Sequence, residues 1–206
     1  MKYIFVAGAP GSKWSSVVKN IYYSNSVDRS DHTQDRSYSH AGAYNGKPMH
    51  LGSYFDPGME FGSWFDRLDQ NTKDQCEAEF DRPFSGTGVR IIKSHMFTCH
   101  IEFLKQTWPD SPIILVHRGD DACLGWWVRC GGFNITYPDY NKYYRDFNHM
   151  ADQITQQNKG LVQAWNSYTG IEPQTNRLLA SLLKIEHPPI EYIQDYSTDD
   201  IAVKVI

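Results

Sequence analysis

The chain has 206 residues, of which 40% are hydrophobic and 21% are charged. This composition predicts one folded domain over residues 1–206 and excludes a disordered acidic tail. The formal net charge of −4 argues against general nucleic-acid binding, which needs an excess of basic residues, but allows a local basic pocket for one small anion. No apolar run approaches the roughly 18 residues of a membrane-spanning helix, so no membrane partner is expected.

The first residues and the cysteines indicate a cytoplasmic protein. Lys2 leads directly into the apolar run 3–7, and this start lacks the pattern of a secretory signal peptide. The cysteines form no CxxC pair, so we expect free thiols and no metal site. The four cysteines are Cys76, Cys99, Cys123 and Cys130.

Three short apolar runs, at residues 3–8, 88–93 and 113–116, predict buried strands. The predicted helices cover residues 14–24, 70–80, 100–107, 120–130, 139–169 (with a break near Gly160) and 175–185. Strands that alternate with helices favour an α/β fold in which helices flank a parallel sheet. Residues 25–70 show little periodicity, and they are either functional or contain short elements that the pattern does not place.

The loop after the first strand reads Gly8-Ala9-Pro10-Gly11-Ser12-Lys13-Trp14-Ser15-Ser16. Its glycines let the backbone turn tightly and present successive N–H groups, and the start of the next helix adds donors and the positive end of its dipole. Lys13 adds a positive charge, and Ser12, Ser15 and Ser16 add hydroxyl donors. We therefore predict a loop that binds phosphate or sulfate. An ordinary strand-to-helix turn remains the alternative, because the loop departs from the GxxxxGK[ST] pattern of nucleoside triphosphatases.

Polar side chains also follow the second and third predicted strands. Lys93-Ser94-His95 follows one, and His117-Arg118-Gly119-Asp120-Asp121 follows the other. Because ligands bind beyond the carboxyl ends of the strands in an open α/β sheet, we expect these side chains to face the loop. His95 is a candidate general base, or else a structural histidine. Arg118 is a candidate bidentate phosphate ligand, or else the partner of a neighbouring aspartate.

Together these residues resemble the sulfotransferase family that uses 3′-phosphoadenosine 5′-phosphosulfate (PAPS). The segment Pro10-Gly11-Ser12-Lys13-Trp14-Ser15-Ser16 is similar to the family's Pro-Lys-Ser-Gly-Thr-Thr-Trp loop, with Lys and Gly exchanged. Lys93-Ser94-His95 is similar to its Lys-Thr-His, and Arg118 matches the arginine that opens its 3′-phosphate motif. The similarity covers residues 1–24 and 88–130, about a third of the chain.

The resemblance implies a fold with a P-loop-like strand-loop-helix and a sulfuryl transfer from PAPS that needs no metal. It implies that residues 10–16 and Arg118 bind the donor, and that Lys13 stabilises charge on the sulfonate and on the leaving oxygen. Lys93 would add positive charge near the acceptor. His95 would remove the proton from an acceptor hydroxyl or amine.

The chain departs from the family at two of its donor-binding motifs. Trp126 stands eight residues after Arg118, where the family has serine. The family's Arg-Lys-Gly element has no clear counterpart, and Arg129, Arg145 and Lys159 are candidate replacements. Three tryptophans are candidates to stack on adenine, or else pack in the core. They are Trp14, Trp126 and Trp127.

The irregular middle supplies the candidate acceptor site. The segment 50–58, which includes Tyr54, Phe55 and Asp56, mixes aromatic residues with glycines and polar groups. Such a composition suits the wall of a pocket for a small-molecule acceptor, and it equally suits a packed Ω-loop.

Two other functions remain open at this stage. An ATP-dependent kinase of small molecules or nucleotides would require magnesium, an intact GK[ST] loop and a metal-binding aspartate at a strand end. A nucleotide-binding module without chemistry would keep the loop and would need no base, although His95 in its Lys-Ser-His context argues against this reading.

Overall fold

The computed structural model describes residues 1–31, 53–54, 65–129, 146–189 and 200–206. Five strands in these ranges form one sheet: β1 (Tyr3–Gly8), β2 (Ser53–Tyr54), β3 (Arg90–Lys93), β4 (Ile113–His117) and β5 (Ala202–Val205). The α-helices of the same ranges are α1 (Trp14–Tyr22), α2 (Lys73–Asp81), α3 (Ile101–Thr107), α4 (Asp120–Arg129), α5 (Phe147–Ser167) and α6 (Asn176–Leu182). Two 3₁₀ helices, Phe65–Gln70 and His95–Cys99, precede α2 and α3. The predicted α/β class is confirmed.

The strand order β2-β3-β1-β4-β5 puts β1 at the centre of the sheet. β1 pairs in parallel with β3 on one side and with β4 on the other, while β5 joins β4 antiparallel. The carboxyl ends of β1, β3 and β4 therefore meet at one edge. The chain changes sides of β1 between β3 and β4, which makes this edge a topological switch point, the usual ligand site of open α/β sheets.

Two apolar layers cover the sheet, and β1 contributes alternate residues to each. Ile4 and Val6 pack with α1, α6 and residues of β5 on one face. Phe5 and Ala7 pack with α2, α3 and α5 on the other. Both faces of β1 are buried, which is why its sequence is a continuous apolar run rather than an alternating one. None of the helices in the described ranges is long and apolar enough to cross a membrane.

The three predicted strands are confirmed, and two edge strands, β2 and β5, join them. The predicted break near Gly160 is wrong, because α5 runs without interruption from Phe147 to Ser167. The glycine lets α5 approach the 3₁₀ helix that follows β3, since a Cβ at this position would lie 2.6 Å from the carbonyl oxygen of Thr98. α1 also ends at Tyr22, earlier than predicted.

A charged network ties α2 to the starts of β1 and β3, at the edge of the sheet opposite the loop. The Asp81 carboxylate accepts hydrogen bonds from the Tyr3 hydroxyl at 2.8 Å and the Lys2 ammonium at 2.7 Å, and it also pairs with Arg90. Burial acts to raise the pKa of Asp81, but these hydrogen bonds outweigh it and hold the pKa below its ordinary value.

Candidate functional site

Two residues with a left-handed backbone conformation shape the loop between β1 and α1. Gly11 has φ +82°, and Lys13, the residue before α1, has φ 60°. A Cβ on Gly11 would overlap the carbonyl group of Cys123 in α4, lying 2.7 Å from its carbonyl carbon. Ser12 N–H donates to the Ala9 carbonyl at 3.0 Å and closes the turn. Glycine at position 11 is therefore required both by conformation and by the close approach of α4.

Ser12 presents a buried hydroxyl inside this loop. Its side chain is 1% exposed, and its Oγ has no hydrogen-bond partner among the described residues. The hydroxyl lies over Gly8, because a Cβ built there would come within 2.7 Å of it. A buried hydroxyl without a partner costs free energy, and a bound oxyanion in the loop would accept its hydrogen bond.

His95 lies directly against the same loop. Its Nδ1 is 2.5 Å from the Gly8 carbonyl oxygen, and its ring stacks on the Trp14 indole with centroids 3.9 Å apart and planes 9° apart. Because a carbonyl can only accept, the contact assigns the proton to Nδ1 and the lone pair of the neutral ring to Nε2. The Lys93 ammonium, at the buried end of β3, is 5.8 Å from the centroid of the same Trp14 ring.

Arg118, directly after β4, reaches the loop from the other side. Its Nη1 donates to the Gly11 carbonyl at 3.2 Å, and its Nε and Nη2 donate to Asp200 at 2.9 Å and 3.1 Å. These hydrogen bonds from Arg118 lower the pKa of the Asp200 carboxyl. The partner of Arg118 in this structure is thus Asp200 and not Asp120 or Asp121.

Trp126 of α4 holds two cations beside the loop. The Lys13 ammonium lies 4.6 Å from its ring centroid, and the Arg129 guanidinium lies 5.7 Å from it. Such cation–π contacts contribute about 0.5–1 kcal/mol at exposed sites. Trp14 and Trp127 are 4% and 5% exposed, so their rings are core aromatics, and Trp126 alone of the three is half-buried.

The segment around Arg118 is braced by α5. The Asn158 side-chain amide donates to the Arg118 carbonyl at 2.9 Å and to the Asp120 carboxylate at 2.6 Å. The Thr155 hydroxyl donates to the other oxygen of Asp120 at 2.8 Å. Beneath this segment, burial raises the pKa of the Cys123 thiol to about 12, so it is neutral at pH 7.

The structure therefore brings together three segments that are far apart in the sequence. Residues 8–16, Lys93 with His95, and Arg118 meet at the carboxyl edge of β1, β3 and β4 through the contacts described above. Of the predicted acceptor residues, Tyr54 pairs with Lys93 in the parallel register of β2 and β3, so its backbone lies at this same edge. Tyr54 is described only as part of the backbone of β2, and Phe55 and Asp56 lie outside the described residues.

Comparison of the chain with protein-family models, with curated proteins and with solved structures found no match.

Two features of the site were not anticipated from the sequence. Asp200 carries no local motif, and its contact with Arg118 depends on the pairing of β5 with β4, which brings Ala202 opposite His117. The stacking of His95 on Trp14 joins residues 81 positions apart, and neither belongs to a pattern that indicates the other.

Proposed function

We propose that the chain is a PAPS-dependent sulfotransferase with a P-loop-like strand-loop-helix, and that it transfers the sulfuryl group to a hydroxyl or amine of a small-molecule acceptor. The observation that carries the proposal is the contact between His95 and the loop. It joins a candidate base to a candidate anion cradle through the hydrogen bond between Nδ1 and the Gly8 carbonyl.

The loop supplies what a phosphosulfate requires. The first N–H groups of α1 and the positive end of its dipole attract an anion. Ser12 offers a buried hydroxyl that has no partner among the described residues, and Ser15 and Ser16 offer two more at the start of α1. The Lys13 ammonium beside Trp126 adds a full positive charge. The donor's 5′-phosphosulfate is assigned to this loop.

The tautomer of His95 fits the role of a general base. Nδ1–H donates to the Gly8 carbonyl, which orients the ring, and Nε2 carries the lone pair. In the transfer, the acceptor O–H or N–H gives its proton to Nε2 while its oxygen or nitrogen forms a bond to sulfur. The bond between sulfur and the bridging oxygen of the donor breaks, and adenosine 3′,5′-bisphosphate leaves.

Positioning and charge stabilisation supply the remaining catalysis. Sulfuryl transfer resembles phosphoryl transfer, in which charge spreads over the equatorial oxygens while the attacking and leaving oxygens lie in line. Lys13 is assigned to stabilise the sulfonate and the leaving oxygen, and Lys93 supplies a second positive charge on the His95 side, 5.8 Å from the Trp14 ring.

The kinase alternative has weaker support. The loop lacks the GK[ST] sequence, since Trp14 follows Lys13. The aspartate after β4, Asp120, accepts hydrogen bonds from Asn158 and Thr155 on its two oxygens and so fastens α4 to α5.

The test uses ³⁵S-labelled PAPS with three probe acceptors: 2-naphthol, glucosamine and a tyrosine peptide. We expect labelled product that is unaffected by EDTA, whereas a kinase would instead transfer the γ-phosphoryl group of ATP and lose activity with EDTA. Lys13→Ala should weaken both transfer and the binding of adenosine 3′,5′-bisphosphate, and Lys105→Ala, on the surface of α3, should change neither. Transfer of ³²P from ATP without transfer of ³⁵S would overturn the proposal.

A further inference from the structure

Arg118 is engaged along its whole guanidinium group in this structure. Nε and Nη2 form a two-pronged contact with the Asp200 carboxylate, and Nη1 donates to the Gly11 carbonyl of the loop. This two-pronged geometry is the one by which arginine binds carboxylates and phosphates alike. Arg118 therefore already holds an anionic group, and that group comes from its own chain.

We propose that the Asp200 carboxylate occupies the subsite on Arg118 that receives the second phosphate of the donor nucleotide, so that the nucleotide binds by displacing Asp200. This inference rests on the proposed function and adds a regulatory contact to it. Asp200 acts as an internal competitor, and it weakens the binding of any phosphate that occupies Arg118, without affecting AMP, whose single phosphate binds in the loop.

The exposure of the two partners supports an exchange of this kind. Arg118 is 8% exposed, and its contact with the Gly11 carbonyl anchors the guanidinium to the loop through an atom that does not contact Asp200. The Asp200 side chain is 59% exposed, so its carboxylate can turn into water while the phosphate of the ligand replaces it as the partner of the buried Arg118. The cation is thus the fixed partner and the carboxylate is the exchangeable one.

The sheet explains how Asp200 reaches this position. β5 runs antiparallel to β4, with Ala202 opposite His117. Asp200 precedes β5 by two residues and Arg118 follows β4 directly, so the register brings the two side chains together at the carboxyl edge of the sheet. The carboxylate is therefore delivered to the ligand-binding edge by a strand that the nucleotide does not need to move.

The experiment compares adenosine 3′,5′-bisphosphate, AMP and inorganic phosphate by isothermal titration calorimetry on the full chain. Asp200→Asn removes the competing charge, and Asp121→Asn removes another exposed carboxylate charge, at the start of α4. Because the Asp200 carboxylate is largely exposed to water, its ion pair with Arg118 contributes little free energy. We therefore expect Asp200→Asn to bind adenosine 3′,5′-bisphosphate about two- to fivefold more tightly than wild type. AMP affinity should stay unchanged, Asp121→Asn should resemble wild type, and Asp200→Asn should bring no gain in an Arg118→Gln background.

Each result decides the question separately from the proposed function. A gain for inorganic phosphate that is specific to Asp200→Asn and depends on Arg118 supports the competitor, even if no variant binds the nucleotide and ³⁵S transfer fails. The competitor role is overturned if Asp200→Asn binds adenosine 3′,5′-bisphosphate and inorganic phosphate no more tightly than wild type does, even if wild type transfers the sulfuryl group. It is also overturned if no variant binds any of the probes. If Asp200→Asn and Asp200→Ser both fail to fold, Asp200 is a structural partner of Arg118 and the inference is wrong.

Discussion

Replacing Gly11 by alanine tests whether the loop has the backbone described here. The residue has φ +82°, and an added Cβ would overlap the carbonyl group of Cys123. A left-handed conformation costs a residue with a Cβ about 1–2 kcal/mol, and overpacking costs about 1–3 kcal/mol more. We therefore expect Gly11→Ala to lower the free energy of unfolding by about 2–5 kcal/mol, which lowers the Tm of a chain of this size by about 4–20 °C.

Gly125→Ala is the matched control, because it adds the same methyl group to the neighbouring helix. A Cβ on Gly125, in the middle of α4, would meet no atom within 4 Å. We expect this variant to gain about 0.5–1 kcal/mol, since alanine favours helix more than glycine does. Urea denaturation of both variants measures the difference. Equal stabilities of Gly11→Ala and Gly125→Ala would refute the described loop conformation.

Three further predictions concern the base His95, the carboxylate of Asp81 and the reactivity of the cysteine thiols. His95→Asn keeps an N–H near the position of Nδ1 but has no base, so transfer of ³⁵S from PAPS should fall by about 10²–10⁴-fold. The affinity for adenosine 3′,5′-bisphosphate, measured by calorimetry, should stay near that of wild type, and unchanged turnover would show that His95 is not the base. Because folding lowers the pKa of Asp81, its carboxylate stabilises the folded chain above the pKa of the unfolded chain, and this contribution is lost as the pH falls through the folded pKa. Urea denaturation between about pH 5 and 2 should therefore show that the free energy of unfolding falls less steeply for Asp81→Asn than for wild type. Cys99 is exposed, whereas burial raises the pKa of Cys76 to about 11 and of Cys123 to about 12. Peptide mapping after brief iodoacetamide treatment of the native chain should therefore find Cys99 labelled, and rapid labelling of the two buried thiols would contradict their burial.

The centre of the fold could be predicted from the sequence because its strands are buried on both faces. β1, β3 and β4 appear as short apolar runs, and the side chains that follow them were expected at one edge for that reason. The edges of the sheet carry a weaker signal. β5 reads Ala-Val-Lys-Val, with Val203 and Val205 buried on either side of the half-buried Lys204, and this alternation is too short to separate from a loop.

The site was predictable as far as its residues follow predicted strands. The loop, His95 and Arg118 were found because each stands directly after an apolar run. The partner of Arg118 was not found, because Asp200 lies 82 residues away and meets it only through the antiparallel pairing of an edge strand. The break expected at Gly160 was wrong for a related reason: the glycine serves a close contact with Thr98, which belongs to another element.

The nucleotide preference of the whole site, loop and Arg118 together, tests the central claim most directly. A thermal-shift titration of wild type with adenosine 3′,5′-bisphosphate, AMP and ATP compares the three nucleotides under one set of conditions. At about 100 times its Kd, a ligand of the folded chain stabilises it by about 2.7 kcal/mol, which raises the Tm by several degrees. The account predicts the largest shift with adenosine 3′,5′-bisphosphate, both with and without magnesium. A larger shift with magnesium ATP, or no shift with any of the three, would contradict it.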